Sequence, residues 1–141
     1  MPFTGNYTCN SFKEGLLDGS FDFGTGTPDV YKIALYTNAA SLDETTTAYT
    51  ATGEASGGNY VAGGLTITPT LASLSGTSYV DFGNAAWTGA ITARGALIYK
   101  YNGTTNPAVC VLDFGSDKTS TATFTVEFPV ATSTSALIRL S

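Results

Sequence analysis

The chain has 141 residues, six Lys plus Arg, eleven Asp plus Glu and no His, for a formal net charge of −5. That length suits one domain able to bury about two-thirds of its unfolded surface. The missing histidine excludes Ser-His-Asp and Cys-His catalysis, His-ligated zinc and imidazole switching. The acidic balance excludes a phosphate-neutralising surface, which needs clustered Lys and Arg, so no nucleic-acid partner is expected. Only 12% of residues are charged, about half the usual share, and polarity comes instead from Thr, Ser, Asn and Gly.

The chain opens Met-Pro-Phe-Thr-Gly-Asn-Tyr-Thr, with no basic segment followed by an apolar one, so no secretion signal is expected. The longest apolar run, Gly95 to Tyr99, is far short of a bilayer span, and no membrane partner is expected. Ser11 and Glu14 have the spacing of a capping box, and Phe12, Leu16 and Leu17 put apolar groups on one helical face. Asp18-Gly19 ends this short helix, and Gly24 to Asp29 is a turn-rich connector. Residues 1–29 therefore read as an N-terminal arm that is not an independent domain, ahead of a β domain over residues 30–141.

From Val30 the apolar period is two. Tyr31, Ile33 and Leu35 share one face, with Lys32 and Ala34 opposite. Residues 38–58 break the pattern. This length of loop is read either as an interaction loop or as one packed over a sheet end. Strand signals then recur at 59–68, with Leu65 and Ile67 inward, and at 77–82. Trp87 reads as a core anchor, and Ile91 to Tyr101 as a central strand apolar on both faces. Asn102 to Asn106 forms a hairpin loop, followed by a strand at 108–114, a turn at Gly115 to Lys118, an alternating strand at 123–128 and a last strand at 136–140. The predicted fold is all-β, an antiparallel sandwich or small barrel of about seven or eight strands.

Chemistry-bearing candidates are few. Asp113-Phe114-Gly115 spells a kinase metal-binding tripeptide, but no accompanying kinase motif exists. It is expected to end a strand and begin a turn. Asp81, Asp113 and Glu127 are the carboxylates available for glycoside chemistry. Each lies opposite the apolar set of its strand and is expected to face solvent. Asp43, Glu44 and Glu54 lack the spacing of a calcium loop, and Arg94 and Arg139 read as ion-pair or interface residues. No catalytic residue, metal ligand or cofactor is predicted, and the chain is not expected to be an enzyme. Cys9 and Cys110, a hundred residues apart, read as two buried thiols in a reducing cytoplasm rather than a disulfide. An exposed Trp87 would permit a carbohydrate-binding alternative. The arm is heavily apolar, with Phe3, Tyr7 and Phe12, then Leu16, Leu17, Phe21 and Phe23. These side chains either close the chain's own sandwich or anchor it to a neighbouring subunit or larger partner.

Three stretches carry a resemblance: Trp87 to Tyr99, Ala108 to Ser120, and Phe124 to Pro129, with Ile33 to Thr37 upstream. Together they resemble a family of small virion structural proteins of tailed bacteriophages, and most of all capsid decoration, or cement, proteins. The resemblance runs from about Tyr31 to Leu140. It implies a β-sandwich on the outer surface of a virion capsid, synthesised in host cytoplasm. The implied partners are the major capsid protein and further copies of the chain, with a trimer as the implied assembly. The same resemblance extends to tail, fibre and adaptor components.

Overall fold

A computed structural model describes residues 3–24 and 26–141. The fold is all-β and sandwich-like, with one short helix and antiparallel pairing throughout the described residues. In chain order the elements are β1 (Tyr7–Thr8), α1 (Asn10–Asp18), β2 (Tyr31–Tyr36), β3 (Leu65–Ile67), β4 (Pro69–Leu74), β5 (Thr77–Phe82), β6 (Ala85–Thr88), β7 (Ile91–Lys100), β8 (Ala108–Ser120), β9 (Thr123–Val126) and β10 (Ile138–Leu140). They form a five-stranded sheet in the order β1-β8-β7-β2-β3, a three-stranded sheet β10-β5-β4 and the pair β6-β9.

β7 lies at the centre of the large sheet, and only its second residue and its last escape full burial. Its neighbour β2 is also buried on both faces, so the single buried face expected from Tyr31, Ile33 and Leu35 is half the picture. Register explains this. Tyr31 lies in ring contact with Phe82 of β5 and stacks on Phe23 at 4.5 Å. The opposite face, carrying Ala34, Tyr36 and Tyr99, is covered by the long loop, where Tyr49 stacks on Tyr99 at 4.9 Å. Ala40, Leu42 and Ala55 of that loop are buried. Residues 38–58 therefore pack over the sheet, one of the two readings the sequence left open. Leu65, expected inward, is partly exposed, whereas its β3 neighbour Ile67 is buried.

The helix begins one residue before the predicted cap. Cys9 is the N-cap and makes no side-chain cap bond. Ser11 lies inside the helix, and its Oγ is buried without a partner. Gly19 ends the helix in the left-handed region at φ 81°, a conformation that costs a side-chain-bearing residue about 1–2 kcal/mol.

The described residues form ten strands rather than the seven or eight expected, because the sequence signals no strand at β1, β4 or β6, and one expected turn falls inside a strand. β4 pairs with β5 across Ser75-Gly76, whose φ values of 53° and 81° form a primed two-residue turn. The predicted turn at Gly115 to Lys118 is instead interior to β8. There the chain bulges, because Ala93 pairs with Lys118 while Gly95 already pairs with Asp113. Gly115 accommodates the bulge at φ 84°. The Asp-Phe-Gly tripeptide thus sits within a strand rather than at its end.

The arm is continuous with the domain. β1 adds to the edge of β8, with Tyr7 opposite Val111. Lys100 ties the connector down: its Nζ donates to the Ser20 carbonyl at 2.7 Å and pairs with Asp29 at 3.2 Å. Both cysteines are buried free thiols. Burial raises the Cys9 thiol to about 11, and Cys110 is pushed higher for the same reason.

Candidate interaction surface

The seven arm residues predicted to bind a partner divide into three groups. Phe3, Phe12 and Phe23 are buried in the chain's own core. Phe12 meets Phe21 edge-on at 4.8 Å and Phe23 at 5.9 Å, and Phe3 lies under the Arg94 guanidinium. Tyr7 is half-buried in β1. Leu16 and Phe21 are half-buried, and Leu17 is 92% exposed.

Of these, Leu16 and Phe21, with Phe12 and Phe23, line one wall of a groove of about 270 Å³ between the arm and the β10-β5-β4 sheet, and Tyr7 and Leu17 lie outside it. Register builds the opposite wall. Leu71 pairs with Val80, Ile138 with Val80 from the other side, and Leu140 with Ser78, so their side chains share the face turned to the arm. Toward the core Val80 and Phe82 are buried, while at the open end Leu71 and Leu140 remain 45% and 58% exposed. A second hollow of about 690 Å³ continues the groove past Lys13 and Arg139. Leu71, Ile138 and Leu140 are absent from the sequence-predicted set. Ile138 and Leu140 look like ordinary strand residues and Leu71 lies in a strand the sequence does not signal, so only the pairing of three strands brings them together against Leu16 and Phe21.

The carboxylates serve the fold in different ways. Asp81 is 2% exposed, which corrects the expectation that it faces solvent. It does lie on the outer face of β5, but the backbone N–H groups of Phe82 and Leu137 bond its carboxylate there. Burial holds its carboxyl above the usual range, and those two donors only partly offset this. Asp113 pairs with Arg94 in a largely buried ion pair beside Phe3. It also accepts from the Gly115 N–H at 2.8 Å, which braces the bulge. Glu127 is exposed, as expected.

The Asp43, Glu44 and Glu54 group does not assemble. Glu54 accepts from Tyr49 Oη at 2.7 Å, Tyr60 Oη at 2.5 Å and the Gly63 N–H at 2.7 Å. Asp43 instead bonds the backbone N–H and hydroxyl of Thr45 within its own turn, and these bonds hold its carboxyl below the usual range. Among the described residues no three Cys, Asp or Glu side chains are grouped to hold a metal ion. Trp87 is 1% exposed, packed against Tyr60 and Phe124, so it offers no stacking face to a glycan. No helix of the described residues is long and apolar enough to cross a membrane.

Comparison of the chain with protein-family models, curated proteins and solved structures finds no match.

Proposed function

We propose that this chain is a structural subunit of a tailed-bacteriophage virion, a decoration protein that binds the outer capsid shell and stabilises it by adhesion. The observation that carries the reading is the solvent-open apolar groove between the arm and the β10-β5-β4 sheet. Its exposed leucines give a surface with apolar anchors and few charges, the composition of an interface core. The resemblance of the strands from Trp87 onward to virion structural proteins supplies the particle. The net charge of −5 favours the outer face, because packaged DNA repels an acidic subunit. The role is non-catalytic: the chain adds buried area between capsomers, and its partner is the major capsid protein.

The groove gives a direct test. Leu140→Asp combined with Leu71→Asp alters the two exposed leucines of the groove, so the melting temperature is expected to stay close to that of the parent chain. Loss of one apolar anchor costs about 2 kcal/mol of binding, or roughly 30-fold in affinity. Cosedimentation with purified shells lacking the protein should show at least that loss. Unchanged binding by the folded double variant would remove the groove from the account.

A further inference from the structure

We infer that β4 is a self-pairing edge, and that two copies of this chain join through it into one continuous six-stranded sheet, β10-β5-β4 running on into β4-β5-β10 of the partner subunit. The inference uses only the sheet geometry and does not rest on the shell reading.

β4 is the outermost strand of its sheet and, at six residues, is longer than the edge strands of the large sheet, β1 with two and β3 with three. Edge strands are usually blunted by Lys, by Pro, by inward charges or by cover from another element. Here the one such device is Pro69, at the first position of β4, which leaves Thr70 to Leu74 open. No residue from Asn59 to Val80 is charged, and Thr70, Leu71, Ser73 and Leu74 are all exposed.

The hairpin determines which backbone groups are free. In a two-residue hairpin the flanking pair, here Leu74 and Thr77, exchanges hydrogen bonds. Alternation then directs Ala72 and Thr70 toward β5, and the Gly83 N–H bonded to the Thr68 carbonyl continues the same phase. The N–H and C=O groups of Leu71 and Ser73 therefore point outward. Among the described residues no backbone partner lies on that side.

Proline selects the register. A two-fold axis normal to the sheet must pass through a residue of β4 paired with its own copy. An axis at Leu71 would set Pro69, which has no N–H, against Ser73 of the partner subunit and leave that Ser73 carbonyl without a donor. An axis at Ala72 sets Leu71 against Ser73 of the partner subunit, and the reverse, so that all four outward groups of Leu71 and Ser73 are bonded. Ala72 then faces its own copy in a non-hydrogen-bonded pair, the closer of the two antiparallel spacings at about 4.5 Å between Cα atoms. Thr70 lies opposite the partner's Leu74. An uncharged strand pairs with itself at no like-charge cost, and the register that bonds Leu71 and Ser73 is its own two-fold complement, which points to a second copy as the occupant. The arrangement is a two-fold dimer, in place of the trimer implied by the resemblance.

The test uses the purified full chain. Sedimentation equilibrium should give twice the 14.6 kDa chain mass. Ser73→Pro removes one outward N–H and leaves the β4–β5 ladder intact; it should sediment as a monomer with an unchanged circular dichroism spectrum. Ala72→Cys should form a disulfide-linked dimer on mild oxidation. Thr104→Cys, at the exposed β7–β8 hairpin tip, is the control and should not form one. If Ser73→Pro does not fold, the Ala72→Cys cross-link carries the test alone. A wild-type chain that sediments as a monomer or trimer overturns the inference, as does an Ala72→Cys variant that cross-links no more than the control. Failure of shell binding alone would leave the dimer standing.

Discussion

Deletion of residues 1–23 is expected to yield a chain that does not fold. Phe3, Phe12 and Phe23 are buried to within a few per cent of completely, and truncating a buried Phe costs about 3–5 kcal/mol. Three such losses are comparable to the whole stability of a domain, about 5–15 kcal/mol. The damage extends further, because Tyr31 and Phe82 lose the Phe23 ring between them, and β8 loses its β1 neighbour. Circular dichroism should show loss of the native spectrum and of any cooperative melt. The single variant Phe12→Ala should remain folded, with its melting temperature lowered by roughly 10–20 °C. A truncated chain that melts cooperatively near the parent temperature would show that the arm is a detachable appendage. The deletion is consequently unsuited to testing shell binding, and the exposed leucines of the groove are the positions to change.

Gly64→Ala is expected to cost about 3 kcal/mol or more, an unusually large effect for one methyl group. Gly64 has φ 81°, and a Cβ there would overlap the Ile33 carbonyl and crowd the Ala34 backbone. Both neighbours belong to β2, which is bonded to β7 along its whole length and cannot retreat. The variant therefore carries the left-handed conformational cost of about 1–2 kcal/mol together with an overlap that only β2 or the start of β3 can relieve. Gly103→Ala separates the two contributions. Gly103 has a similar φ of 78°, yet a Cβ there meets nothing within 4 Å. Urea denaturation should place Gly103→Ala within about 1–2 kcal/mol of the parent and Gly64→Ala well below it. Equal losses would mean that the close approach to β2 contributes nothing.

The two glycines illustrate what the sequence could and could not reveal. Gly63-Gly64 is legible as loop punctuation, but its reason, contact with a strand thirty residues away in sequence, is a tertiary fact. The alternating strand β9 and the doubly apolar β7 were readable because burial imposes a period of two or its absence, whereas β2, read as alternating, is buried on both faces. Trp87 was readable as a core residue from its size, although its strand β6 was not. β4 was missed because Thr70 to Leu74 lacks polar-apolar alternation, although Ser75-Gly76 already had the composition of a primed turn. The second half of β8 was hidden because Gly115 and Asp117 look like turn residues, whereas the backbone absorbs them as a bulge opposite Arg94. Asp81 was misassigned because periodicity separates the two faces of a strand but does not say whether a later segment covers the outer one. Of the groove, the sequence offered Phe12, Leu16, Phe21 and Phe23. Leu71 and Leu140 join them only through strands paired across most of the chain's length.

The role proposed for this chain is that of an adhesive subunit of the outer shell. Its most direct test is the position of the chain on a virion, read by gold-labelled antibody or by cryo-electron microscopy of intact and stripped particles. Density is expected at many symmetry-related positions on the outside of the head, lost when the protein is removed and restored when it is added back. Density confined to the tail or fibres, or no density on the particle, would contradict it.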